Sequence, residues 1–541
     1  MKKITLILTS LFIITGCNKL LDEIPDAQVR IDTPEKVGKL LVYAYPQVSA
    51  SLLNELSSDN IGDGGSLITY SNFLSEEVAY WRPAQEYFDY EGLRNVWQYH
   101  YQAINHANTA LEAIEKLGNT SELQAAKGEA LVARAYAHFE LANLFCKPYH
   151  PTESATDLGI PYKTEPEKEL NNLQPRGTLA QVYQQIDADL TQGLPLINDS
   201  FYEQPKYHFN KKAAYAFAAR FYLYYQQWQK AIDAANEVLT TNNNTTLSLL
   251  RKWEDFRDVN KAGSTKQGSR ALYYTREDIP ANLLLLPVFS QITNYISEDY
   301  SRRYTHNSRI ANQETVATKN LWDPEGKTGS NNFGYEFFWF MPIKTSSNEN
   351  DIVFFDKWPI FSGDYSRSVM VPFTTDETLL VRAEAKILLG GDANYQSALE
   401  DINMWTSKFI QVKTISGYTN RNTINDLQTV YDFYNNINYS EATNTGATQK
   451  KRLSPSFTLL NDGKQEPLLH YLLQCRRILT LGDGLRWQDV RRYNIEVVRY
   501  ETDNINRNLF TVKTTLPPSD LRRTLQLPAM VIQAGTTPNP R

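Results

Sequence analysis

Apolar residues recur at three- and four-residue steps along several long stretches of the 541-residue chain. In "NVWQYHYQAINHANTALEAIEKL", Trp97, Tyr101, Ile104, Asn108 and Leu111 fall on one stripe that is almost wholly apolar, the pattern of an amphipathic helix. "TSELQAAKGEALVARAYAHFELANLF" follows, with Ser121 and Gln124 spaced for a capping box at its start. Its small residues, among them Ala125, Ala126, Gly128, Ala130 and Ala133, predict a thin helix that neighbours can approach closely. Thr178 and Gln181 form a second capping-box pair ahead of the stripe Leu179, Val182, Tyr183, Ile186 and Leu190.

Two later segments share one design. Trp228, Ala231, Ile232 and Ala235 stand at i, i+3, i+4 and i+7, as do Tyr395, Ala398, Leu399 and Ile402. An alanine-rich helix precedes each after a short turn, and the second turn carries Gly390 and Gly391. Helix pairs with alanine at their crossing points resemble tetratricopeptide units, which stack because none buries its apolar face alone. The predicted fold class is therefore all-α, a tetratricopeptide-like scaffold.

Between the helices lie polar, aromatic-rich stretches at about 50–92, 242–375 and 410–466. Irregular segments this long are uncommon in compact domains unless they carry function. Trp97, Trp228, Trp405 and Trp487 fall in helical stripes or in the late motif described below, and are assigned to the core. Trp81, Trp322, Trp339 and Trp358 lie outside the predicted helices. A sugar ring has an apolar C–H face and a polar rim, so these four indoles and Tyr80 are the candidate stacking platforms. Asp59 and Arg82 are candidate partners for hydroxyl groups. Aromatic residues make up 12% of the chain, more than the core stripes account for.

The first residues read differently. Lys2 and Lys3 precede a twelve-residue stretch, Ile4 to Thr15, with eight apolar positions. That is too short to span a bilayer and suits a secretory signal. Ile14-Thr15-Gly16-Cys17 looks like a bacterial lipobox. The expected arrangement is a signal peptide at residues 1–16 and a single domain from a lipidated Cys17 to residue 541. More than one acyl chain on Cys17 would anchor the protein stably to a membrane.

The formal charge of −6 becomes −8 once Lys2 and Lys3 leave with the signal, which argues against nucleic acid as a partner. Cys146 and Cys475 sit in apolar helical patterns and read as buried thiols. There is no CxxC pair, HExxH, GxSxG, P-loop or GxGxxG, so no cofactor, metal or catalytic centre is expected. His100 and His106 are six apart on a helix and face different directions. A loop at "DNIGDGG" lacks the ligands of an EF-hand at Ile61 and Tyr70. Carboxylates are plentiful, and a glycosidase pair is defined by separation in space rather than by sequence.

Taken in order, the motifs resemble the SusD/RagB-type outer-membrane lipoproteins of Bacteroidetes. The resemblance rests on "LLDEIPDAQV" after the lipobox, "VWQYHYQAINHANTAL", and "KGEALVARAYAHFELANLF" with Arg134 and Tyr136. It continues through "DETLLVRAEAKILLG" with Arg382 and Glu384, "DGLRWQDVRRYN", and the ending "LQLPAMVIQAGTTPNP". Cys475, Leu479 and Asp483 depart from acidic positions of the family pattern, which puts local ion pairing by Arg476 and Arg477 in question. The resemblance implies a non-enzymatic, cell-surface lipoprotein of the outer membrane. It would bind an oligosaccharide or polysaccharide and deliver it to a SusC-like TonB-dependent transporter. Members of such a family also take up peptides, so a peptide ligand stays open, as does a lipidated glycan hydrolase.

Overall fold

The computed structural model describes residues 31–66, 73–84, 90–167, 175–259, 269–296, 302–325, 343–347, 350–354, 356–361, 366–415, 417–440, 447–503, 505–506 and 509–541. Cys17 and Trp339 lie outside the described residues.

The helices that carry the architecture are α1 (Pro34–Leu41), α2 (Ser51–Ser57), α3 (Leu93–Lys116), α4 (Gln124–Phe145), α5 (Leu179–Gly193), α6 (Lys211–Tyr224), α7 (Trp228–Leu239), α8 (Thr375–Leu389), α9 (Asp392–Phe409), α10 (Gln465–Leu479) and α11 (Leu485–Arg492). Helix α3 packs on α4 and α4 on α5; α6 pairs with α7, α7 abuts α8, and α8 pairs with α9 and touches α10. The two predicted helix pairs therefore stack on each other, and the fold is the expected mostly helical, tetratricopeptide-like one. A contiguous apolar core runs from Val37 to Val531.

Close approach is visible where α4 crosses the end of α5. A Cβ on Gly128 would sit 2.9 Å from the Gly193 carbonyl oxygen, and one on Gly193 would sit 3.0 Å from that of Gly128. Only glycine at both positions lets the backbones meet. The Thr178–Gln181 capping box forms as predicted. The Ser121–Gln124 pair does not: Ser121–Leu123 is a 3₁₀ turn and α4 begins at Gln124, whose side chain instead bonds Asn119 and the Thr120 carbonyl. The tight turn uses up the geometry that a capping box needs.

Strands are few. β1 (Gly62–Asp63), β2 (Leu286–Phe289), β3 (Tyr304–Thr305), β4 (Arg367–Met370), β5 (Val497–Thr502) and β6 (Phe510–Leu516) make two small sheets. One has the order β6-β5-β1-β3. The other pairs β2 with β4 antiparallel, placing Phe289 opposite Arg367. The stretches expected to be irregular thus hold short strands, and also short helices such as Asn243–Leu249 and Leu427–Asn435.

Buried ion pairs tie the helices together. Arg134 of α4 holds Asp189 of α5 through two bonds of 2.8 and 2.6 Å. Arg382 of α8 holds Asp401 of α9 the same way, at 3.0 and 2.7 Å. Arg476, fully buried, lies 3.1 Å from Asp489, 3.4 Å from Glu384 and 3.6 Å from Glu377. Arg477 reaches Glu314 at 3.1 Å and the Asn60 side chain at 2.9 Å. Both arginines therefore keep carboxylate partners, drawn from other elements instead of from the local positions held by Cys475, Leu479 and Asp483. Asp483 bonds Lys357 at 2.7 Å. Cys146 and Cys475 are buried free thiols.

Candidate functional site

Each described residue singled out as a ligand contact has a definite place, and most are structural. Trp81, Trp322 and Trp358 are core residues. Their indole N–H groups donate to the Ser57 carbonyl at 2.9 Å, the Tyr471 hydroxyl at 3.1 Å and the Gly482 carbonyl at 3.0 Å. Rings covered in this way offer no face to a sugar, which corrects the expectation for these three. An apolar ring outside a regular helix still finds the core when its loop folds back onto the scaffold. Asp59 is likewise buried, bound by Arg486 through two bonds of 2.7 Å. Coulombic pull from Arg477 and Arg486 outweighs burial and holds its carboxyl far below the usual range. Tyr80 is nearly buried and donates its hydroxyl to Asp63. Burial and the Asp63 charge raise its phenol far above the usual value. Trp81 adopts a left-handed backbone, φ 54°, a strained conformation for a bulky residue. Arg82 remains at the surface, pairing with Glu76 at 3.1 Å and lying 5.0 Å from the Tyr80 ring centre.

The exposed aromatic surface lies elsewhere. Helix α1 starts at Pro34, with Thr33 capping it through a 3.3 Å bond from Lys36 N. The chain leaves α1 through Val42 and Tyr43, and Tyr43 is 53% exposed. Along α3, Tyr99, Gln102, Ala103 and His106 fall at i, i+3, i+4 and i+7, one face of the helix. These residues, with Lys36, Lys39, Tyr43, Tyr45 and Gln47, line an open groove of about 560 Å³. His106 Nδ1 bonds the Tyr43 carbonyl at 3.0 Å, and the two rings sit 5.7 Å apart. Tyr45 is anchored from below. It donates to Glu129 Oε1 at 2.6 Å, accepts from the Phe209 amide at 2.7 Å, and burial raises its phenol well above the usual value.

The groove runs on into a row of rings. The Phe289 amide donates to the Gln47 carbonyl at 2.7 Å, which ties β2 to the segment between α1 and α2. Tyr99 lies 6.2 Å from the Phe289 ring, and Tyr90 stacks on that ring at 5.7 Å and 13°. The Arg367 guanidinium sits 4.9 Å from its centre. Tyr90 is 47% exposed. Its neighbour Glu91 is buried and clamps the loop after β2, accepting from Ser290 Oγ at 2.8 Å and Gln291 N at 2.7 Å. The chain therefore presents flat, half-exposed rings rimmed by amide, imidazole and ammonium groups. That surface suits a ligand with apolar faces and many hydroxyls.

Sequence reasoning missed this face because it is only half apolar. Tyr99/Gln102/Ala103/His106 lies beside the stronger Trp97/Tyr101/Ile104 stripe on the same helix, and a tyrosine reads equally well as core. The spacing itself was the available signal.

A family model for starch-binding proteins that associate with the outer membrane matches residues 19–223. That match makes the first part of the chain similar to SusD-like proteins. The chain is 20% identical over 410 residues to SusD-like protein P38 of Formosa agariphila, covering 74% of this chain and 72% of that protein. Its fold matches a SusD superfamily protein of Bacteroides thetaiotaomicron with a TM-score of 0.62 and 19% identity, over 94% of this chain and 100% of the other. A laminarin-binding SusD-like protein aligns with a TM-score of 0.52 and 14% identity, over 94% and 99% of the two chains. These findings support the SusD/RagB family that the motifs resemble. The motif residues Arg134, Arg382, Glu384, Arg486, Asp489 and Arg492 are all buried in ion pairs, so the motifs mark the scaffold and not the groove. Among the described residues no helix is long and apolar enough to cross a membrane, and no cluster of three His, Cys, Asp or Glu could hold a metal.

Proposed function

We propose that this SusD-like chain is a nutrient-binding lipoprotein that captures an oligosaccharide on the Tyr43–Tyr99–Phe289–Tyr90 surface and its groove. Lipidated Cys17 holds it to the outer membrane, and a SusC-like TonB-dependent transporter receives the ligand. The observation that carries the reading is the exposed, stacked row of rings beside a polar-rimmed groove on a fold shared with carbohydrate-binding relatives. Stacking takes the sugar's C–H face, while Gln47, Gln102, His106 and the lysines take hydroxyl groups. Such sites discriminate strongly, because an unmatched buried polar group stays unpaired. No bond is cleaved; release follows from the shallow, open geometry.

Affinity electrophoresis against a polysaccharide panel tests the reading. The wild-type protein without residues 1–17 is expected to be retarded by one glycan. Tyr43→Ala, Tyr90→Ala and Tyr99→Ala each weaken that retardation, and Trp322→Phe leaves it intact. Loss in Trp322→Phe with none in the tyrosine variants overturns the location. No retardation by any glycan turns the ligand towards peptides.

A further inference from the structure

The rings of the capture surface follow one another along a single helix. Tyr90 stands just before α3, which begins at Leu93. Phe289 bridges Tyr90, 5.7 Å away, and Tyr99, 6.2 Å away. Tyr99 and His106 are i and i+7 on α3, two turns or about 10 Å apart along the axis. His106 then meets the Tyr43 ring at 5.7 Å. A pair of rings therefore closes each end, and the surface from Tyr90 to Tyr43 runs roughly 15–20 Å along α3.

The middle of the row differs from its ends. Gln102 and Ala103 occupy it, Gln102 exposed and Ala103 buried. An alanine there lets a bulky ligand lie close to the helix, and the Gln102 amide offers it both a donor and an acceptor. At the Tyr43 end, the Tyr43 carbonyl can only accept from His106 Nδ1. Nδ1 therefore carries the proton, and Nε2 is left as an acceptor for a hydroxyl group. Rings, an amide and rings again are thus spread over a length that one sugar ring cannot cover. The groove of about 560 Å³ is likewise of a size for a larger molecule.

We propose that this surface takes a run of about three or four sugar units laid lengthwise along α3. Its ligand class is a glycan chain of at least that length, not a monosaccharide or disaccharide. The assignment rests on the capture reading above and adds the length and orientation of what is captured. A chain that stacks on Tyr43 and Tyr90 at once gains from both ends, because the second contact forms at high effective concentration. A disaccharide reaches one end at a time and has two alternative places.

The test uses the chain without residues 1–17 and the polysaccharide that retards it in electrophoresis. Fragments of two, three, four and six units are cut from that polysaccharide by partial acid hydrolysis. They are titrated by calorimetry into wild type, Tyr43→Ala, Tyr90→Ala and the double variant. Wild-type affinity is expected to rise about tenfold or more from two units to four, and to level off by six. Each single variant weakens the four-unit fragment about five- to tenfold. The same variants weaken the two-unit fragment only about twofold, the statistical loss of one of two places, and the double variant weakens it further. If a variant fails to fold, the wild-type series decides alone. Equal affinity for two and four units, an undiminished gain from four to six, or equal weakening of both fragments by the single variants overturns the proposal while glycan capture stands. Absence of retardation by every polysaccharide removes the capture reading itself, and the length assignment with it.

Discussion

A buried guanidinium has to find its acceptors inside the fold. Arg134 finds Asp189, the Asn108 side chain and the Thr164 carbonyl, and Tyr162 adds a 2.6 Å bond to the same aspartate. Arg134→Met leaves Asp189 charged and buried, and is expected to cost about 3–5 kcal/mol, read from the midpoint of urea unfolding. Glu314 makes a pH prediction. Burial would raise its carboxyl, but Lys451, Arg477 and Arg309 pull it down to about 2. A group with a lowered folded-state pKa contributes stability above its unfolded value, and loses that contribution as pH falls through the folded one. Wild type should therefore lose about 3 kcal/mol between roughly pH 4.5 and pH 2 through Glu314. The stability–pH slope of Glu314→Gln should be correspondingly shallower in that window, measured by chemical denaturation at each pH. The sequence put local ion pairing by Arg476 and Arg477 in question. It could not name the partners of Arg477, because Glu314 and Asp59 stand more than 150 and 400 positions away in the chain.

At the scale of elements, helix periodicity did most of the work. The predicted stripes on α3, α5, α7 and α9 bury most of their apolar members, with Tyr101, Leu111 and Trp228 half-buried against the core. The glycine crossing of α4 and α5 leaves no room for a side chain. Gly128→Ala places a methyl 2.9 Å from a backbone oxygen and should cost about 1–3 kcal/mol, read as a lower thermal midpoint with unchanged helix content. The loops were read less well. Trp358 and Trp322 were judged by their lack of helical neighbours, but a loop that lies back on the scaffold buries its rings as thoroughly as a helix does. Trp358→Phe removes the N–H that the Gly482 carbonyl uses, and should cost about 1–3 kcal/mol of stability without changing glycan binding. Calorimetry run beside the binding assay separates the two effects.

Across the whole molecule, scaffold and recognition surface are made differently. The scaffold is a stack of helix pairs locked by internal ion pairs. The surface draws Tyr43 from the end of α1, Tyr99 from α3, Phe289 from β2 and Tyr90 from the chain entering α3. Removing one exposed ring, as in Tyr90→Ala, should weaken glycan affinity about five- to tenfold while the unfolding midpoint barely moves. Anchoring is separable from both. Cys17→Ala should release the protein from the membrane fraction with its glycan affinity intact, measured by fractionation and electrophoresis.

Local spacing alone determined the helical class, the stacked pairs, the two buried thiols and the family resemblance, because a helix writes its buried face into the chain every three or four residues. Tertiary structure alone decided which rings are open to solvent and which charges meet. Burial depends on what packs over a residue, and Tyr90, Phe289 and Tyr99, or Arg309 and Lys451, become neighbours only when distant segments close on one another.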